Sequence, residues 1–368
     1  MRAKLISITL LLLAAVSHAE EWRQAAPMNE TRQYPGLAYL PGGRILAVTG
    51  HPLNGKSLSG ADIYDPASDT WTPTGALNLP RNGVQPGGLI NLSNGQILIA
   101  GGGTGSRSIH EAELYDPDSE TWSFTGPMAL QRCVHTSTLL QDGRVLVTGG
   151  IDWTTNEIHA SAELYDPETG TWRSTGAMKT ARWNHRAVRL DDGRVLIVGG
   201  ATEESGDEAV LASAEIFDPR TESWKEIAPM HHGRRAPGMA LLHDGRAIVI
   251  GGKSAVGPRR RDRAEVEVFD PATETWTDVA PLRESRWGPS AIVLRDGQVL
   301  VTGGMYGSSG RRRSAERFDP IRGEWRRAGG LEQARNGHRS ITLASGQILI
   351  CGGFSGRDYL SSCEIYVP

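Results

Sequence analysis

Arginine recurs at Arg32, Arg81, Arg132, Arg182, Arg234, Arg286 and Arg335. Three residues after each stand Pro35, Val84, His135, His185, Pro237, Pro289 and His338. Arginines gathered on one rim could hold a carboxylate or sulfate through paired N–H donors. Three imidazoles facing one space would suit zinc or copper. Two denser clusters, Arg259, Arg260, Arg261 and Arg263, then Arg311, Arg312 and Arg313, could attract an acidic glycan, a lipopolysaccharide headgroup or an acidic protein segment. Trp183 and Trp287 each follow one of the recurring arginines, and Trp153, Tyr306 and Tyr359 sit in polar stretches. Aromatic faces beside arginine stack on sugars or grip a protein.

Paired glycines suggest a further chemistry, the cradling of a phosphate. "DGRVLVTGG" at 142 ends in such a pair. A nucleotide loop should occur once, between a strand and a helix. This one returns as "GGRILAVTG" at 42, "NGQILIAGG" at 94, "DGRVLIVGG" at 192, "DGRAIVIGG" at 244, "DGQVLVTGG" at 296 and "SGQILICGG" at 345. The beat is roughly 50 residues and no helical pattern follows it. The glycines are therefore architectural. A second element keeps time with them, as in "AELYDPDSETW" at 112 and "AEIFDPRTESW" at 214, with Trp six residues after Asp.

Each repeat carries four short strand signals. Between 132 and 174 they are "VHTSTLLQ", "RVLVTG", "AELYD" and "TWRST", joined by tight Gly- and Pro-containing turns. One small sheet cannot bury both faces, so neighbours must stack. Seven four-stranded sheets around an axis make an all-β, seven-bladed β-propeller. The last repeat, "CEIYVP", lacks its fourth strand, and "EEWRQ" near the N-terminus supplies it. Pairing the two closes the ring and removes an open edge. The repeat tryptophans are expected to pack between neighbouring blades.

The double Gly, the aromatic-Asp-Pro and the spaced Trp resemble Kelch repeats, over residues 20–368. The resemblance implies the propeller; it does not imply one activity. Some Kelch adaptor domains capture acidic peptides with arginine on one face. Galactose oxidase and related copper radical oxidases use a similar propeller, and "TRQYPGLAYLPGGR" resembles one of their motifs, with Tyr34 at the tyrosine position. "RCVH" and "RWNH" supply His135 and His185, but Val134 and Asn184 replace a second tyrosine, and "RNGHRS" offers no Cys for a thioether. A periplasmic sialic-acid epimerase shares the secreted single-propeller layout without a transferable local motif.

In such a fold the short "DG" and "DPxT" turns share one face. The variable loops and the links between blades share the other, together with the mouth of the central channel. Sites on rigid scaffolds favour variable loops. Sevenfold repetition of the arginines suits the fold better than a ligand, and Glu113, Glu163 and Glu215 could pair with them. His185 and His338 stand too far apart around the ring to share an ion with bonds of about 2 Å. The ligand-binding candidates are Arg259, Arg260, Arg261, Arg311, Arg312, Arg313, Arg182, Trp183, Trp287 and Trp153. Charge pairing between loops (Glu203, Glu204, Asp207 and Glu208 are acidic) and packing of Trp between blades are the competing explanations. No metal and no cofactor is expected.

Residues 1–19 read as a signal peptide: Arg2 and Lys4, the run "LISITLLLLAAV", then "SHA". Export to the periplasm or the extracellular space follows, with residues 20–368 as one domain. The apolar run is short for a transmembrane helix. Cleavage takes the formal charge from −3 to −5, which gives no footprint for nucleic acid. Cys351 and Cys363 stand where a cross-strand disulfide could form in an oxidising compartment, and Cys133 is left over as a buried thiol. The function expected is binding of a protein or acidic glycan through the variable face. A sugar-modifying enzyme at the channel mouth, epimerase-like or a copper radical oxidase, is the alternative.

Overall fold

A computed structural model describes residues 20–51, 57–84, 88–105, 107–203, 210–254 and 261–368. The leader read over 1–19 lies outside them. In blade one, Gly36–Tyr39, Ile45–Val48, Ala61–Asp65 and Thr70–Thr74 pair in that order as an antiparallel sheet. Residues 89–125, 136–175, 186–227, 238–279 and 290–330 repeat it as blades two to six. Blade seven joins Arg339–Thr342, Ile348–Cys351 and Cys363–Val367 to Glu21–Ala25. The all-β, seven-bladed architecture and its N-terminal closure thus match the sequence reading.

The strand sequences explain where the core lies. "ILAV", "VLVT" and their counterparts form each second strand, apolar on both faces and wholly buried. They lie between two neighbouring blades, so both faces are covered. The outermost strands alternate, as in "TWTPT", where only Trp71 is buried. The core is therefore a series of layers between blades. One layer joins Leu46, Val48 and Ile63 of blade one to Ile97, Ile99, Tyr115 and Trp122 of blade two.

Each repeat Trp stacks on the aromatic opposite it, with ring centres 5.0 Å apart for Tyr64–Trp71 and 5.1 Å for Tyr115–Trp122. Several also donate their indole N–H to the link before their blade: Trp71 to Ala26 O at 2.9 Å, Trp276 to Ala228 O at 2.9 Å. Trp22 does the same for the closing strand, donating to Ala328 O at 2.7 Å and lying opposite Tyr366. The double glycines serve the same junctions. Gly149 has φ 61°, and a Cβ on it would lie 2.5 Å from the carbonyl oxygen of Arg182 in the next blade's approach. Only glycine fits that passage.

Cys351 and Cys363 lie opposite each other on adjacent strands and form a disulfide. It sits inside the blade that the N-terminal strand completes. Closing a loop across 12 residues restricts the unfolded chain by about 3 kcal/mol. Reduction should therefore lower Tm by several degrees while the circular dichroism of the cold protein stays unchanged. An unaltered Tm after verified reduction would refute that contribution. Cys133 is a free thiol, buried as expected, and burial pushes it up to about 12.

Candidate functional site

The recurring arginines are fully buried, all seven at 0% exposure. Arg182 shows why. Its Nη1 donates to Gly199 O at 2.8 Å and Ser213 O at 3.1 Å. Its Nη2 donates to Ser213 Oγ at 3.0 Å and Glu215 Oε1 at 2.8 Å. Its Nε donates to Thr180 O at 3.4 Å. Every N–H is consumed inside the blade, so Arg182 is no ligand contact and that candidate is corrected. Asp62, Glu113, Glu163, Glu267, Glu316 and Glu364 pair with the other six in the same way.

The three histidines belong to the same junctions. His185 Nε2 lies 3.0 Å from Thr136 Oγ1 and 3.2 Å from Thr148 Oγ1 of the preceding blade. His338 Nε2 lies 2.9 Å from Thr302 Oγ1. Each ring rests where the first glycine of the preceding pair leaves room: His135 on Gly101, His185 on Gly149, His338 on Gly303. Burial pushes His135 down to about 3, and burial with neighbouring arginines pushes His185 and His338 well down. All three are neutral packing groups. Among the described residues they do not converge with any other ligating groups.

The residue two places after each buried arginine is a different matter. Tyr34, Gly83, Val134, Asn184, Ala236, Gly288 and Gly337 all have positive φ, between 47° and 67°. Their backbones link successive blades, with Val134 N donating to Gly83 O at 2.9 Å and Tyr34 N to Gly337 O at 2.6 Å. Tyr, Val, Asn and Ala rarely adopt this conformation, and a β-branched residue such as Val134 is disfavoured most. Strain of this kind collects at functional sites. All seven line one cavity of about 750 Å³ at the channel mouth.

Trp153, Trp183 and Trp287 line that cavity too, so the structure brings these three sequence candidates together. Trp183 donates its indole N–H to Glu203 O at 3.0 Å, and Lys253 Nζ lies 5.3 Å from the Trp287 ring centre. The cavity's charged lining is Arg186, Arg235 and Arg339, with no Asp or Glu among the described residues. Arg339 Nη2 donates to Val84 O at 2.9 Å, and its Cζ lies 5.6 Å from the Tyr34 ring. Burial pushes Arg339 down to about 10, against the pull of Tyr34. Burial, then Arg339, pushes Arg186 down to about 9. Both keep their protons at neutral pH, but each raises the cost of the other's charge. Burial pushes the Tyr34 phenol up, and Arg339, Asn336, Arg186 and Arg311 draw it back. An anion entering here relieves this repulsion.

Sequence reasoning passed over Arg186 and Arg339. Each stands four residues after a buried arginine, where its strand enters the channel. The equivalent sequence positions of the other five repeats are Gly36, Gln85, Thr136, Gly238 and Ser290. A charged residue among uncharged ones was the available signal.

The basic loops are largely occupied otherwise. Arg259 and Arg260 lie outside the described residues, and the backbone of Arg261 takes part in a short pair with Lys253–Ser254. Arg311 donates to Asn336 Oδ1 at 2.9 Å and stacks on Phe354 at 5.0 Å. Arg312 meets Glu284 at 3.1 Å and covers Tyr306 at 4.2 Å. Arg313 alone of these three is exposed. Arg311 thus ties its loop to the last blade, and Arg312 holds the same loop to the link into its own blade.

Comparisons with known proteins agree with the fold. A family model described as the KLHDC2/KLHL20/DRC7 Kelch-repeats domain matches residues 90–304, and the Kelch motif matches residues 286–332. Kelch-like protein 15 of Danio rerio is 26% identical over 272 residues, which is 73% of this chain and 37% of that protein. Kelch-like protein 34 of Homo sapiens is 28% identical over 263 residues, 70% of this chain and 31% of that protein. The chain thus spans about a third of the length of these relatives. A copper-bound fungal alcohol oxidase of the AA5 family superposes with a TM-score of 0.76 at 15% identity, covering 95% of this chain and 77% of that one. The structure of YjhT superposes at 0.64 and 13%, covering 82% and 99%. Such identities show the fold alone. The residues here do not fit copper: His185 and His338 are held by threonines in separate junctions, and Cys133, beside Ser108, is the one thiol outside the disulfide. No helix of the described residues is long and apolar enough to cross a membrane.

Proposed function

The chain belongs to the Kelch-repeat family, and from that premise we propose that it is an exported binding module that takes an acidic saccharide into its channel mouth. One observation carries the reading. A cavity of about 750 Å³ is lined by three tryptophans and three arginines, with no carboxylate among the described lining residues. That volume suits a small ligand rather than a flat protein face. Arg339 and Arg186 supply charge for a carboxylate or sulfate at the floor. Trp183, Trp287 and Trp153 offer faces for sugar rings. Among the described residues at this mouth no pair of carboxylates stands ready for hydrolysis. Export is supported by the leader pattern in residues 1–19 and by the disulfide, which persists in oxidising compartments.

The test is calorimetric titration of residues 20–368 with sialic acid, a sulfated disaccharide, their neutral counterparts and an acidic peptide. Binding of an acidic sugar is expected, with no heat from the neutral ones. A hydrogen bond to a charged group is worth about 1.5–3 kcal/mol. Arg339→Ala should therefore weaken binding roughly tenfold to hundredfold. Equal affinity for neutral sugars would sink the anionic reading. Binding of the acidic peptide alone would replace the saccharide with a protein partner.

A further inference from the structure

The links between blades wall the channel mouth on every side. Each of the seven contributes its positive-φ residue to the cavity, from Tyr34 round to Gly337. Backbone hydrogen bonds tie neighbouring links: Ala236 N donates to Asn184 O at 2.9 Å, and Gly288 N to Ala236 O at 2.8 Å. The cavity does not run through to the face of the short turns. It reaches Leu37, Ala187, Met239 and Ala291, each the second residue of a four-residue inner strand, and in blade seven Ile341, the third. It is therefore a blind funnel that opens toward the variable loops.

The chemistry changes with depth. As the chain descends into the channel, Trp183 and Trp287 stand one place before the positive-φ residue of their links. Arg186 and Arg339 stand two places after it, already on the inner strands. Aromatic faces come first and charge comes last. The Arg339 guanidinium is turned across the funnel. Its Nη1 donates to His338 O at 3.2 Å, and its Nη2 reaches from blade seven past blade one to Val84 O at 2.9 Å. These bonds hold the group in place and use two of the five N–H donors of a guanidinium, which leaves the others for an anion. A saccharide chain laid across the mouth would rest on the loops. It could not lower an internal acid group to this depth, because the links enclose the funnel all round. We infer that the funnel recognises the terminal residue of an acidic glycan, inserted end-on with its acid group at Arg186 and Arg339, and discriminates against the same residue inside a chain. The inference rests on the acidic-saccharide reading and narrows it to chain ends.

Two sets of sugars test it by calorimetry on the same protein. The first is a hyaluronan disaccharide with glucuronate at its terminus, beside the trisaccharide in which N-acetylglucosamine caps that glucuronate. The second is sialyllactose beside polysialic acid of defined lengths. The uncapped sugar should bind about tenfold tighter or more, since capping withdraws the charge-assisted bonds at the floor. Polysialic acid should take one protein per chain, whatever its length. Arg339→Ala should remove the preference for the uncapped end, and urea unfolding checks that the variant folds. Equal affinity for capped and uncapped sugars, or a stoichiometry that grows with chain length, would overturn end-on recognition while leaving the acidic-saccharide reading intact. A preference unchanged in Arg339→Ala would put the site away from the funnel floor and overturn the assignment. Absence of binding by every acidic sugar would sink the acidic-saccharide reading itself, and this inference with it.

Discussion

Acidification below about pH 6.5 should destabilise this propeller steeply, well before its carboxylates titrate. His135, His185 and His338 are buried as neutral rings, and their folded-state values are depressed: His135 to about 3, the other two well below the ordinary range. In the unfolded chain each regains its ordinary value near 6.5. Between those limits the unfolded state binds one more proton per ring than the folded state. Stability is therefore full above pH about 6.5 and falls as pH drops below it, by about 1.4 kcal/mol per pH unit per ring. Three rings together give about 4 kcal/mol per unit. His51 and His159, also depressed by burial, act in the same direction. The surface pair around Glu222, whose carboxyl is drawn down to about 2, enters only in more acidic solution. Urea unfolding at pH 7, 6 and 5 measures the slope. His185→Gln should reduce it by about one ring's share whatever it does to stability at pH 7. A flat profile from pH 7 to 5 would contradict the buried neutral assignment.

Those histidines also show how far the sequence could be read. Their structural role was legible, because a trio separated around a ring cannot share an ion. Their partners were not. Thr136, Thr148 and Thr302 lie on strands of the preceding blade, and no spacing in one repeat shows what the next presents. The repeat itself was legible for the opposite reason. A double Gly closes the second strand of six repeats, an aromatic-Asp-Pro stands in six and the repeat Trp in all seven, so periodicity reveals them. The channel mouth is where periodicity fails. Arg186 and Arg339 occupy a place that is otherwise uncharged, and neither belongs to the seven arginines that draw the eye. Trp183 and Trp287 were found because they broke the pattern beside it. The arginine-rich loops misled because charge was visible while Phe354 and Glu284, which absorb Arg311 and Arg312, lie in other segments.

Arg182→Ala then separates what repeats from what binds. If Arg182 were a ligand contact, its loss would weaken binding and leave unfolding unchanged. The structure demands the reverse. The side chain bridges Thr180, Gly199, Ser213 and Glu215, and none of it reaches solvent. Truncation leaves the Glu215 carboxylate buried without its cation, an outcome that costs about 3–5 kcal/mol. That is a large share of the 5–15 kcal/mol typical of a folded domain. Removing both charges should not fully restore stability. Glu215 also accepts from the backbone N–H of Lys179 at 2.7 Å and of Thr180 at 3.3 Å, and these would be orphaned. Arg182→Lys keeps a cation but not the fork, so it should fall between parent and alanine and guards against a variant that fails to fold. Urea midpoints of the three proteins decide the matter. A parent-like midpoint for Arg182→Ala would mean that the buried pair does not hold the blade. A lowered midpoint, beside an Arg339→Ala variant that unfolds like the parent, would assign the repeated arginines to the fold and the unrepeated ones to the ligand.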